Sequence, residues 1–294
     1  DSNLENTHTS ATYDALNKAR TVADIEAAIS LQGVSWTNTI AADRAGDAFY
    51  ADISVTPNVD TQLLERCRVY PEQVPTQAVV LRGNDADCEW REDERSAIPG
   101  VMPAQDMPRL YREDYVANSN DSYWLSNPQQ PLQGYSPIIG AERTARSLRT
   151  RAGLTFINEL LAQGEKITPD DMQAMFYTQR NFGAELLLDD VLSLCTAELE
   201  PVTWQEQSID VGESCTVLRD WDRLMTISSR GGHVWREFWR IARKIDGVYA
   251  VPFDASQPMT TPSGLAVGNS QVRAALLEAL AQAQVTLEDA NIAL

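Results

Sequence analysis

The stretch Val116-Ala117-Asn118-Ser119-Asn120-Asp121-Ser122-Tyr123-Trp124-Leu125-Ser126-Asn127-Pro128, followed by Gly140-Ala141-Glu142-Arg143, is the most informative part of this chain. Its Asn, Asp, Ser and Pro residues favour turns, because their short side chains bond neighbouring backbone groups or fix the backbone angle. Tyr123 and Trp124, set among them, give such a loop apolar anchors, and ordered polar loops on a rigid scaffold commonly carry sites. An Asn amide there can aim its NH2 at a developing negative oxygen, and a nearby Arg can hold that amide in place. The alternative is an Asx-rich turn whose amides bond only their own backbone.

Working outward, Thr37 to Asp43 and Ala48 to Val55 read as two strands joined by a turn at Arg44-Ala45-Gly46. The segments Trp36-Thr37-Asn38-Thr39-Ile40-Ala41-Ala42-Asp43, Ala48-Phe49-Tyr50-Ala51-Asp52-Ile53-Ser54, Gly140-Ala141-Glu142-Arg143 and Phe182-Gly183-Ala184-Glu185 join the Asn-bearing loop in one ordered set. In order and rough spacing this set resembles the penicillin amidase family, N-terminal nucleophile hydrolases that include penicillin, aculeacin and acyl-homoserine lactone acylases. The resemblance implies an α+β fold, part of the family's α/β/β/α sandwich, with a largely helical second half. Residues 1–141 would form a sheet-bearing part of the acylase core with long loops, and 142–294 a mainly helical part. By position, the second Asn of the family's Asn-x-Asn element falls on Asn120, implying a side-chain donor to the oxyanion hole. The Arg that ends the family's Gly-Ala-acid-Arg element falls on Arg143, implying a group beside that Asn and the nucleophile.

The family attacks its amide with a Ser whose own free amino group is the base. This chain begins with Asp1; Ser2-Asn3 imitates the family's mature start, but no Gly precedes it, no aromatic follows, and Ser2 lies closer in sequence to Asn120 than the family keeps its nucleophile. Ser2 is therefore read as an ordinary terminal residue. The resemblance then implies an internal part of the nucleophile-bearing β subunit. Its expected partners are the remaining acylase chain or subunit carrying the N-terminal Ser, and a small acyl-amide substrate. The rival expectation is a catalytically silent structural or binding module with a partial acylase fold. The resemblance implies no required cofactor. It does imply a structural Ca2+ in the complete enzyme, with most ligands before residue 1; the region near Leu132 offers no acid, and no metal residue is assigned.

With 294 residues and 43% hydrophobic content the chain can bury a sizeable core. A formal charge of −18 argues against a nucleic-acid partner and against an anionic membrane surface, and no apolar run reaches the length of a membrane span. Arg143, Arg146, Arg149 and Arg151 form the one basic concentration; at helical spacing the first three share a face, and all but Arg143 are expected to be solvated and paired with acids. The pairs Asp43 with Asp52, Asp170 with Asp171, and Asp189 with Asp190 are expected on the solvated surface, and His233 is expected to be structural. The four cysteines lack CxxC spacing, which argues against zinc. Cys67 with Cys88 and Cys195 with Cys215 would each close a loop of about twenty residues, worth about 3 kcal/mol; four buried free thiols are the alternative. Disulfides would suit the periplasmic or secreted setting that the resemblance implies.

The remaining pattern is mostly local. Residues 11 to 30 read as two helical pieces broken near Arg20, with Thr21 to Asp24 a capping box. Six prolines between 56 and 115 indicate long ordered loops with short helical turns. Helix is expected from Glu142 onward, from Thr168-Pro169-Asp170-Asp171 toward Gln179, over Ala184 to Ala197, over Val234 to Lys244 with Trp235, Phe238, Trp239 and Ile241 in the core, and from a Ser270 cap to about Gln284.

Overall fold

The computed structural model describes residues 6–69, 79–164, 166–196 and 199–294. They fall into two compact units, residues 1–143 and 144–294. Ser2 lies outside the described residues.

The first unit opens with α1 (Thr9–Lys18) and α2 (Val22–Ile29). The break between them has a local cause: Thr21 Oγ1 accepts from the Asp24 N–H while the Asp24 carboxylate accepts from the Thr21 N–H, starting a new helix. Next come β1 (Thr39–Ala42), β2 (Ala48–Ala51), α3 (Thr61–Cys67), the short β3 (Arg68–Val69) and β4 (Val80–Leu81), and β5 (Arg109–Arg112). The expected hairpin is present with shorter strands, in register Thr39 to Ala51, and β5 adds to its far edge in the antiparallel order β1-β2-β5. As the central strand, β2 is covered on both faces, so Phe49, Tyr50 and Ala51 are all fully buried. Phe49, Ala51 and Ile53 pack with Val22, Ile29, Met102 and Met107. In the proline-rich segment α3 is capped by Asp60, and a Cys67–Cys88 disulfide ties it to a 3-10 turn at Ala86–Cys88. This staple sits in its own cluster with Val59, Leu63 and Leu64.

The second unit contains α4 (Leu148–Leu161), α5 (Pro169–Phe176), α6 (Phe182–Leu194), the ribbon β6 (Val202–Trp204) and β7 (Gln207–Ile209), α7 (Gly212–Asp220), α8 (Gly232–Ala242), the ribbon β8 (Tyr249–Val251) and β9 (Ser263–Leu265), and α9 (Ser270–Asp289). Helix α6 buries Ala184, Leu187, Leu188, Val191 and Leu194, a stripe at helical spacing, against α8 and α9. Trp235 and Phe238 on α8 lie in the core as expected, each contributing about 2–3 kcal/mol of burial. A Cys195–Cys215 disulfide joins the end of α6 to α7, and among the described residues no cysteine is free.

Several expectations need correction. Residues 143–147 are not helical: Ser147 Oγ accepts from the Thr150 N–H, and α4 begins at Leu148, so Arg143, Arg146 and Arg149 share no helix face. Arg146 and Arg151 are buried rather than solvated. Arg151 donates to the carbonyls of Met259 (3.1 Å) and Pro262 (2.8 Å), which substitute for the expected acids. Helix α5 ends at Phe176, short of Gln179, and α9 is capped by Asn269 rather than Ser270 and runs beyond Gln284 to Asp289. Asp170 and Asp189 are exposed as expected, Asp189 pairing with Arg223, while Asp43 and Asp171 accept backbone N–H groups at turns and caps and Asp190 accepts from the Leu265 N–H (2.7 Å). His233 Nε2 bonds the Ala293 carbonyl (2.9 Å).

Candidate active site

In the Asn-bearing loop, two of the three asparagines are held by their own surroundings. Asn118 Nδ2 donates to the Asp121 carbonyl (3.0 Å) while its Oδ1 accepts from the Asp121 N–H (3.2 Å), closing an Asx-type ring. Asn127 is fully buried and donates to the Tyr115 carbonyl (2.9 Å). The Asn120 side chain is exposed and, among the described residues, makes no hydrogen bond. Its backbone is left-handed, φ 56°, a conformation Asn tolerates better than most residues.

Tyr123, Trp124 and Leu125 form a buried 3-10 turn capped by Ser122 Oγ, which anchors the loop from one side. From the other, Asp114 at the loop's base takes two bonds from Arg112 at 2.7 Å. The Arg112 guanidinium, helped by the Tyr115 N–H and the Asn127 amide, holds the Asp114 carboxyl down at about 2 despite partial desolvation.

The Gly140-Ala141-Glu142-Arg143 segment is pressed against this loop. Tyr123 Oη donates to Glu142 Oε1 (2.7 Å), and a Cβ on Gly140 would lie 3.1 Å from Ser122 Oγ and 3.2 Å from the Tyr123 ring, so glycine permits the close approach. Arg143 is exposed, has φ 53°, and makes no hydrogen bond or ion pair among the described residues. The structure thus brings together the two segments bearing Asn120 and Arg143, with no hydrogen bond between those two side chains. Within the described part of this unit, the non-glycine residues with positive φ are Gln32, Asn120 and Arg143. Backbone of this kind costs about 1 kcal/mol or more and gathers at functional sites.

Asn120 lines a cavity of about 1050 Å³. Its walls are largely aliphatic and aromatic, with Val55, Val80, Leu81, Ile138, Ile139 and Trp90, and Trp36 stands at 81% exposure. Its polar lining includes Asn38, Asp52 and Ser54, with Ser54 Oγ donating to Asp52 Oδ1 (3.0 Å). Asp52 is partly buried, contrary to its expected solvation, and desolvation pushes its carboxyl above the usual range. Beneath it, Tyr50 Oη donates to Asn38 Oδ1 (2.6 Å); burial, then the Asp52 charge, hold this phenol far above its ordinary value.

The sequence reading gave Trp36, Asp52 and Glu142 no role of their own at the site, although all three lie in the segments that carry the resemblance. Trp36 carried one signal, an aromatic ring in the polar run Ser35-Trp36-Thr37-Asn38, where burial of a large ring is hard to arrange. Among the described residues no group of three or more His, Cys, Asp or Glu side chains is placed to hold a metal ion.

The chain is 34% identical over 284 residues to an acyl-homoserine lactone acylase PvdQ of Pseudomonas syringae pv. syringae, covering 95% of this chain and 35% of the relative. It is 34% identical over 293 residues to the protein of the same name in Pseudomonas fluorescens, covering 98% and 36%. With the aculeacin-A acylase of Actinoplanes utahensis it shares 35% identity over 274 residues, covering 90% and 34%. The chain therefore spans about a third of the length of the curated relatives it matches. The penicillin amidase family model matches residues 2–293, and the chain belongs to that family.

Proposed function

We propose that this chain supplies the oxyanion-stabilising wall and part of the acyl-binding surface of an acylase that hydrolyses the amide of small N-acylated substrates, such as acyl-homoserine lactones, penicillins or related acyl amides. One observation carries the reading: the amide of Asn120, unbonded among the described residues, lines a large cavity with a substantial apolar surface. A donor with no partner among the described residues is open to a ligand oxygen, and donors aimed at charge that develops in the transition state lower the barrier.

In the complete enzyme the nucleophile is a Ser hydroxyl activated by its own α-amino group, contributed from outside the described residues. Its attack on the acyl carbonyl forms a C–O bond and places negative charge on the carbonyl oxygen, where Asn120 donates. Collapse breaks the C–N bond, the amine leaves with a proton, and water then releases the acyl group as a carboxylic acid. Arg143, on the adjoining segment, adds positive charge and orients the surroundings of Asn120. The chemistry uses no cofactor; a Ca2+ ion in the complete enzyme would be structural.

The three-stranded β1-β2-β5 sheet is read as a portion of the central sheets of the α/β/β/α sandwich. Two disulfides support a periplasmic or secreted setting, and no described helix is long and apolar enough to cross a membrane.

The test is kinetic, on the complete acylase with N-acyl-homoserine lactones of graded chain length. Trp36→Ala should raise KM for long acyl chains roughly tenfold, the worth of one lost aromatic contact, with a smaller effect on short ones. Equal effects at every chain length would remove the acyl surface from this cavity.

A further inference from the structure

Among the described residues nothing bonds the Asn120 amide, so its aim depends on how firmly the backbone around it is held. On one side the Asn118 ring fixes Asp121. Further along the loop the fixed point is Tyr123, whose side chain is fully buried and whose ring meets Tyr135 edge-on at 5.2 Å. The hydroxyl of Tyr123 ends on Glu142 Oε1 at 2.7 Å. The same carboxylate accepts from the Tyr135 N–H (3.0 Å) and the Gly134 N–H (3.1 Å). One anion therefore ties together three stretches of chain: the Asn-bearing loop, the turn at Gly134-Tyr135, and the segment whose next residue is Arg143. Bonds to an ionised acceptor are the stronger kind and hold geometry correspondingly well. The phenol is a dependable donor, since burial first and Glu142 second raise it far above its ordinary range.

We infer that Glu142 is a positioning residue for the acyl-transfer step, setting through Tyr123 the place of the Asn120 amide and through the chain itself the place of Arg143. Glu142 touches neither substrate nor nucleophile in this assignment, which rests on the reading of Asn120 as the oxyanion donor. Two of the left-handed non-glycine residues described in this unit, Asn120 and Arg143, flank the clamp.

The test is a double-mutant cycle on the complete acylase, measuring kcat and KM on an N-acyl-homoserine lactone for Tyr123→Phe, Glu142→Gln, Asn120→Ala and the two combinations with Asn120→Ala. Misplacement of a catalytic group by about 1 Å costs roughly a hundredfold in rate, so each clamp variant should lower kcat roughly ten- to a hundredfold with KM little changed. If the clamp acts through Asn120, that loss should nearly vanish in the Asn120→Ala background, since groups acting as a unit are non-additive. Clamp losses that multiply in full on the Asn120→Ala background would reduce Glu142 to a general structural role and overturn the inference, as would clamp variants with unaltered kcat. Should Asn120→Ala itself leave kcat unchanged, the functional reading falls, and the clamp assignment with it. If Tyr123→Phe does not fold, the near-isosteric Glu142→Gln carries the cycle alone.

Discussion

Removing the Cys67–Cys88 disulfide by the double substitution Cys67→Ala, Cys88→Ala perturbs the wall of the cavity without touching its polar residues. The bond spans a sequence separation of 21. Closing an unfolded loop of that size costs about 11 cal/mol/K, or about 3 kcal/mol at 25 °C, and this constraint on the unfolded state is lost with the bond. Both cysteines are buried among Val59, Leu63 and Leu64, so Ala is the appropriate replacement; Ser would leave a hydroxyl in an apolar cluster. Trp90 packs against the same cluster and reports its unfolding by fluorescence. With a urea slope of about 2 kcal/mol/M, the midpoint of the first unit's transition should fall by about 1.5 M. The corresponding Cys195→Ala, Cys215→Ala variant should lower the second unit's midpoint by nearly the same amount, because its separation of 20 is almost identical and the cost grows only with the logarithm of loop length. A midpoint shift below about 0.3 M in the first variant, with the parent's thiols shown to be oxidised, would refute the idea that this bond constrains the unfolded chain.

Two predictions concern Asp52, in the cavity lining, and Asp114, at the base of the Asn-bearing loop. Asp52→Asn should raise the melting temperature at pH 7: burial raises the folded carboxyl above its unfolded value, so the penalty for the charged form grows as pH rises, and the gain should disappear below about pH 4, where both states are protonated. Asp114 behaves oppositely. Its folded value of about 2 lies below the unfolded one, so it contributes stability above about pH 4 that is lost as pH falls toward 2; acid titration of thermal stability should show a smaller loss over that window in Asp114→Asn than in the parent.

Local signals in the sequence transferred well to the fold. The Thr21–Asp24 and Thr168–Asp171 boxes start helices because side chain and backbone satisfy each other within four residues. The β1–β2 hairpin and both disulfides likewise join partners close in sequence. The start of α9 slipped by one residue because Asn269 and Ser270 are both good caps, and the extended backbone at Asn269 decides between them. Distant partners were not legible. Arg151 reaches carbonyls more than a hundred positions away, so its burial has no local signature. At the site, the Asx reading fits Asn118 and Asn127, whereas the lack of a partner for Asn120 among the described residues is a property of the folded loop. The cavity arises from segments as far apart as Trp36 and Ile139, and the burial of Asp52 depends on that assembly.

The most direct measurement is kcat for amide hydrolysis by the complete acylase carrying Asn120→Ala. Loss of an oxyanion donor should lower kcat by roughly a hundred- to a thousandfold, about 3–4 kcal/mol, with KM little altered. An unchanged kcat would contradict the assignment of Asn120 and, with it, the account of this cavity as the acyl-transfer site.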